Sequence, residues 1–137
     1  MEKRFLRSIQ SLTSIFEYVK EFIAVQNIDE TFVFPISFLV EEIFTNMVKY
    51  NVANQNEILL SLTRKDNNVF IQLADFDVDP FDITKAPDVN PDASVESRKI
   101  GGLGIHLVKK LADHLEYEYH DRESRITVIK KIEESNV

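Results

Sequence analysis

The sequence predicts an α+β fold with helices on one face of a mixed sheet. Three observations point there. Two early stretches repeat their apolar residues at helical spacing, and two later pairs of segments alternate apolar and polar residues around short polar turns. The resulting order, β-α-α-β-β-loop-α-β-β, lacks the strand-helix alternation of a doubly wound parallel sheet.

Each element follows from its residues. Lys3 to Leu6 suits a short strand, after which Ile9, Leu12, Ile15, Phe16, Val19, Phe22 and Ile23 line one side of a helix from about Ser8 to Val25. Asn27 to Thr31 reads as a loop. Pro35 belongs near the first turn of a second helix, where its missing N–H costs nothing, and that helix runs to about Asn51. The polar run 51–56 ends it. Ile58, Leu60 and Leu62 then alternate with polar neighbours, Lys65 to Asn68 make a turn, and Val69 to Ala74 complete a hairpin. Asp77 to Lys99 holds three of the four prolines and five aspartates, which marks a long loop of the kind that is usually functional. Beyond it, Leu103, Leu107, Val108, Leu111 and Ala112 are expected to form the packing face of a third helix, with His106, Lys109, Lys110 and Asp113 opposite. Leu115 to His120 and Ile126 to Ile132 close the fold as an antiparallel pair.

The 137 residues, 44% of them apolar, suit a single domain spanning 1–137 with one core. No uninterrupted apolar run reaches the roughly 18 residues of a membrane span. The charged start, Met1 to Phe5, is unlike a signal peptide, so a soluble, cytoplasmic protein is expected. Without cysteine there is no disulfide, thiolate metal site or thiol nucleophile. A net charge of −7 argues against direct nucleic-acid binding.

All three glycines, Gly101, Gly102 and Gly104, stand where the long loop meets the third helix. A loop without Cβ atoms brings backbone N–H groups close to an anion, and the helix adds the positive end of its dipole, so phosphate binding is one reading. A simple turn and helix cap is the other. In the second helix, Glu42, Asn46 and Lys49 fall on one line at the border of the apolar face. The Asn carbonyl oxygen suits a magnesium shell already holding phosphate oxygens, and a Glu one turn earlier suits proton abstraction from a hydroxyl or water. A solvated face with a Glu to Lys contact is the plainer reading. Asp75, Asp77, Asp79 and Asp82 crowd the end of the second hairpin strand without EF-hand spacing, and one such Asp facing a pocket suits an adenine amino group. Neither a P-loop nor a dinucleotide fingerprint is present, and His106, His114 and His120 lack metal-site spacing.

In order, Glu42-x-x-x-Asn46, an Asp-rich box ending Pro80-Phe81-Asp82, and Ile100-Gly101-Gly102-Leu103-Gly104-Ile105-x-Leu107-Val108 resemble the GHKL superfamily of gyrase, chaperone, histidine-kinase and MutL ATPases. More narrowly, the chain resembles the small bacterial anti-sigma factor serine-protein kinases, from the first helix through Lys131. The resemblance implies a two-layer α/β sandwich of the Bergerat, histidine-kinase-like type, with a mixed, mostly antiparallel sheet. It implies ATP and Mg²⁺ as cofactors. By position, Asn46 would hold Mg²⁺, Glu42 would act as general base, Lys49 would lie beside the nucleotide, and Gly101, Gly102, Leu103 and Gly104 would cradle the phosphates. The implied activity is phosphorylation of a serine on a small anti-sigma factor antagonist of the STAS type, with a sigma factor as second partner, no membrane, and a homodimer permitted. The family's first glycine box reads Asp-x-Gly-x-Gly or Asp-x-Gly-x-Pro. An ungapped match puts Val78 at the first glycine and Phe76 at the adenine-binding Asp, whereas a one-residue shift offers Asp75 or Asp77. The alternative that this leaves open is a non-catalytic anti-sigma or partner-binding module with a degenerate nucleotide site.

Overall fold

The computed structural model describes residues 1–50, 54–80 and 102–132, apart from the side chains of 102–104. Of the expected loop Asp77 to Lys99, residues 81–99 lie outside the described residues, as do Ile100 and Gly101.

The first strand, β1 (Glu2–Phe5), buries only Phe5, whose ring meets Tyr18 edge-on at 5.8 Å. The chain then turns through a 3₁₀ segment, Ile9–Ser11, capped by Ser8, whose hydroxyl accepts from the Gln10 N–H. Helix α1 (Leu12–Val25) follows. It ends in a Schellman motif: Asn27 takes φ 54°, its N–H donates to Ala24 O, and Ile28 N–H donates to Ile23 O. Asp29 accepts from Thr31 N–H at 2.8 Å and caps a second 3₁₀ turn, Glu30–Phe32, within the expected loop. Helix α2 (Val33–Tyr50) carries Pro35 in its first turn, as the missing N–H requires.

Strands β2 (Ile58–Lys65) and β3 (Asn68–Phe76) form the expected hairpin, with Lys65 opposite Asn68. After α3 (Gly102–Leu111), β4 (His114–His120) and β5 (Glu123–Lys131) pair around Asp121 and Arg122, both at positive φ, the backbone of a tight hairpin. The sheet order is β1-β2-β3-β5-β4, and every described pairing is antiparallel.

One face of this sheet carries the helices. Ile58, Leu60 and Leu62 of β2, Val69, Ile71 and Leu73 of β3, and Ile126 and Val128 of β5 share a core with Ile15, Val19 and Phe22 of α1 and Ile36, Leu39, Val40, Ile43 and Phe44 of α2. Helix α2 packs against α1, α3 and β3, and so is the centre of the helical layer. The stretch Glu30–Tyr50 is long and apolar enough to cross a membrane, but Ile36, Leu39, Val40, Ile43, Phe44 and Met47 within it are buried in the core of this fold, while Phe34 is exposed. Helix α3 turns inward a face that matches only in part the one its sequence suggested: Val108 and Ala112 pack on the core as expected, but Ile105 does so in place of Leu107 and Leu111. Ile105 and Val108 are buried, while Leu107 and Leu111 are exposed. The apolar residues of α3 outnumber what one stripe can hold, and its contact with α2 selects among them.

Candidate functional site

The candidate site is assembled around the C-terminal half of α2. Glu42, Asn46 and Lys49 lie along one side of it, as their spacing predicts, but they differ in burial. Asn46 is only 3% exposed, and its Nδ2 donates to the Glu42 carbonyl at 2.6 Å. That bond, back to the preceding turn, leaves the amide oxygen as the atom Asn46 can offer to another group. Lys49 is partly exposed in the last turn, where a cation complements the helix dipole.

Glu42 is half-buried, and its Oε2 is shielded from solvent with no hydrogen-bond partner among the described residues. Desolvation raises the pKa of its carboxyl, because burial disfavours the charged form. Glu41 is raised too, first by its own burial and then by the charge of Glu42. A carboxylate oxygen without a partner is costly to bury, which marks Glu42 as a candidate functional group.

Helix α3 opens at Gly102, so the positive end of its dipole lies at the glycine cluster, and the helix packs against α2. Gly102, Leu103 and Gly104 form its first turn, whereas Gly101 lies outside the described residues. Gly102 and Gly104 carry no Cβ, and the N–H groups of a helix's first turn have no partner within the helix.

The Asp-rich segment, read from sequence as the end of the second hairpin strand, begins inside that strand. Strand β3 runs on to Phe76, and Asp75 follows Val69, Ile71 and Leu73 on the face turned to the helices. Phe76 points to the other face, where the Arg4 guanidinium lies 5.3 Å above its ring. Asp75 is 1% exposed and forms an ion pair through Oδ1 with Nη2 of Arg7, whose side chain is 3% exposed. The same guanidinium donates through Nη1 to Met47 O at 2.9 Å and through Nε to Asn56 O at 3.3 Å. A single cation therefore joins β3 to the residue following Asn46 in α2.

Asp77 does not enter this cluster. It is exposed, sits at φ 58°, and accepts from Arg122 Nε at 2.9 Å. Arg122 also reaches Asp79 at 3.1 Å, while Tyr119 donates to Val78 O at 2.7 Å, so residues 77–79 are fastened to the β4–β5 hairpin. Val78 is buried beneath them. Asn54 donates to Phe76 O at 2.7 Å and to Asp77 O at 3.0 Å, closing the other side. Asp82 falls outside the described residues.

Among these groups, sequence reading missed Arg7, Asn54, Asn56 and Arg122. For Arg7 a signal existed: a carboxylate continuing the core-facing parity of β3 needs a buried cation. A separate cleft of about 930 Å³ at the α1–α2 junction, lined by residues such as Ile23, Asn27, Asp29 and Val33, contains none of the candidate residues.

Residues 7–130 match the family model of the histidine kinase-like ATPase domain. Among solved structures, the fold is similar to that of a chain in the SiaB–SiaC complex from Pseudomonas aeruginosa, with a TM-score of 0.60 over 95% of this chain and 87% of that one at 9% sequence identity. No curated protein sequence matches the chain.

Proposed function

Because the chain belongs to the histidine kinase-like ATPase domain family, we propose that it is an ATP- and Mg²⁺-dependent protein-serine kinase and anti-sigma regulatory factor. Its substrate in this reading is a small anti-sigma factor antagonist of the STAS type, and a sigma factor is its second partner, in a cytoplasmic partner-switching pathway. The observation that carries the reading is the pairing of an orphaned, half-buried Glu42 oxygen with a buried Asn46 one turn later, beside the glycine-led start of α3. The structural neighbour comes from a complex of two proteins, which supports a protein partner here.

The donor set fits the cofactors. Magnesium takes few protein ligands when phosphate oxygens fill its shell, and one amide oxygen from Asn46 meets that need. Bound ATP with Mg²⁺ would supply the phosphoryl group and neutralise its charge. Glu42, its carboxyl pKa raised toward working pH by burial, would accept the proton of the attacking serine hydroxyl. The amides at Gly102, Leu103 and Gly104, with Gly101 before them, would hold the phosphates. Lys49 would add a positive charge at the rim. Asp75 lies on the strand face a base-reading carboxylate requires, and the register that starts the glycine box there puts Asp77, at φ 58°, where the family has its first glycine.

Calorimetric titration with ATP, with and without Mg²⁺, tests the reading. Metal-dependent binding that Asn46→Ala abolishes, followed by phosphate transfer to the antagonist's serine that Glu42→Ala abolishes, is the expected result. A second reading, the non-catalytic partner-binding module, is favoured by the Arg7–Asp75 ion pair, which engages the carboxylate best placed for adenine. Absence of nucleotide binding in the wild-type chain and in a folded Arg7 variant selects it.

A further inference from the structure

We infer that β1 is a self-pairing edge: two copies of this chain join antiparallel through Glu2–Phe5, with Glu2 of each copy opposite Arg4 of the other, so that their five-stranded sheets run on as one. The inference does not depend on the nucleotide-binding reading above.

The backbone sets the possible registers. Strand β1 stands at the end of the sheet order, so one of its sides pairs with β2 and the other meets no described strand. Met1 exchanges both backbone bonds with Leu62, its N donating to Leu62 O and its O accepting from Leu62 N, each at 2.8 Å. Antiparallel alternation then turns the N–H and C=O of Lys3 and Phe5 inward to β2, and those of Glu2 and Arg4 outward. An edge with free groups of this kind is a template for another strand. A two-fold axis perpendicular to the sheet can pair the outward residues as Glu2 with Glu2, Arg4 with Arg4, or Glu2 with Arg4. The first two oppose like charges. The third, centred on Lys3, satisfies the outward groups of Glu2 and Arg4 in both copies and sets opposite charges across each pair.

The side chains agree with that register. Glu2 and Arg4 are exposed and share the sheet face away from the helices, whereas Lys3 shares the parity of the buried Phe5. Neither Glu2 nor Arg4 has an ion-pair partner among the described residues: Glu2 takes a 3.4 Å bond from the Ser61 hydroxyl, and the Arg4 guanidinium rests over the Phe76 ring. On the helix face, Lys3 lines a cleft of about 520 Å³ with Glu17, Tyr18 and Glu21 of α1. The Tyr18 hydroxyl is buried there with no hydrogen-bond partner among the described residues. The Lys3-centred register brings the two lysines together at the axis, where Glu17 and Glu21 of both copies offset their repulsion. It also brings a second ammonium to the side of the cleft that holds the unpaired phenol. Met1, exposed in the single chain, falls opposite Phe5 of the second copy.

Sedimentation equilibrium of the full chain tests the inference. A four-residue strand gives a small interface, so wild type is expected to dimerise with a micromolar constant. Glu2→Lys sets cation against cation in both pairs, and Arg4→Glu sets carboxylate against carboxylate. Each variant alone is expected to dimerise at least about tenfold more weakly than wild type. Mixed together, the two regain opposite charges in both pairs, and their mixed dimer is expected within about threefold of the wild-type constant. Both positions are exposed, and circular dichroism checks that the variants keep the fold. Wild type that stays monomeric up to about 1 mM overturns the inference. A dimer that both variants leave unchanged overturns it as well, because the copies then meet through another surface. So does a mixture that stays as weak as its components.

Discussion

Two carboxylates flank the second half of α2, and the protein treats them in opposite ways. Asp75 is 1% exposed and tied to a guanidinium that has two further acceptors. Glu42 is half-buried, its carboxyl pKa is raised by desolvation, and one of its oxygens has no partner among the described residues. The difference separates a satisfied buried charge from an unsatisfied one. A saturated buried pair holds its elements together and resists new ligands, whereas an unsatisfied group is available to one. If this comparison is right, the two sites respond to mutation with different magnitudes and in different measurements. Asp75→Ala has the largest effect, because it strands the Arg7 cation: a loss of about 3–5 kcal/mol is expected from urea denaturation. The double variant Arg7→Leu/Asp75→Leu is expected to recover most of that loss. A cost below about 1 kcal/mol for Asp75→Ala would mean that the pair is hydrated in solution and that the contrast with Glu42 does not hold.

The same contrast shows what could be read from the chain. The line Glu42, Asn46, Lys49 was legible because helical spacing alone puts residues four and three apart on one side. The order of the elements and the two hairpins were legible for the same reason, since each rests on local periodicity and turn chemistry. Arg7 was not, because its role depends on a partner 68 residues away. The packing face of α3 was read correctly at Val108 and Ala112 but misjudged where Leu107 and Leu111 competed with Ile105, a choice made by the neighbouring helix rather than by period. The strand end was placed too early, at Ala74. Two more strand residues put Asp75 within the strand, on its core-facing side.

The strand end gives the next largest effect. Asp77 holds φ 58°, a left-handed conformation that aspartate tolerates and a β-branched residue does not. Asp77→Val is expected to cost about 1–2 kcal/mol in urea denaturation, while Asp77→Gly stays within about 0.5 kcal/mol of wild type. Equal costs for the two would assign the loss to the Arg122 contact instead of the backbone. This pair of variants sharpens the comparison, since it separates backbone shape at the end of β3 from the charge chemistry of Asp75.

At Glu42, pH is the sensitive variable. A carboxyl pKa raised in the folded state above its ordinary 4.5 means that the native protein keeps its proton where the unfolded chain releases it. The contribution to stability is therefore fully present below 4.5 and is lost as pH rises from there through the raised folded value. Glu42→Gln abolishes that loss, so the variant should gain stability relative to wild type on going from pH 4 to pH 8. Glu41 contributes a slope of the same sign, which weakens when Glu42 no longer carries charge. If wild type instead gains on the variant as pH rises, Glu42 has an ionic partner in solution and is not the orphan its geometry describes.

The smallest effect is expected from the most conspicuous surface cluster. Arg122 bonds both Asp77 and Asp79, and its cation is favoured first by the hydrogen bond to Asp77 and then by that to Asp79. Yet its side chain is 55% exposed, and exposed ion pairs are screened by salt and offset by side-chain entropy. Arg122→Ala should leave Tm unchanged within error at physiological ionic strength, because Val78 burial, the Tyr119 hydroxyl bond to Val78 O and the Asn54 amide still hold the segment. Tyr119→Phe, which removes a half-buried bond to that segment, should lower Tm more than Arg122→Ala does. The reverse order would show that charge, rather than burial and the Tyr119 bond, fastens the strand end on which Asp75 is presented.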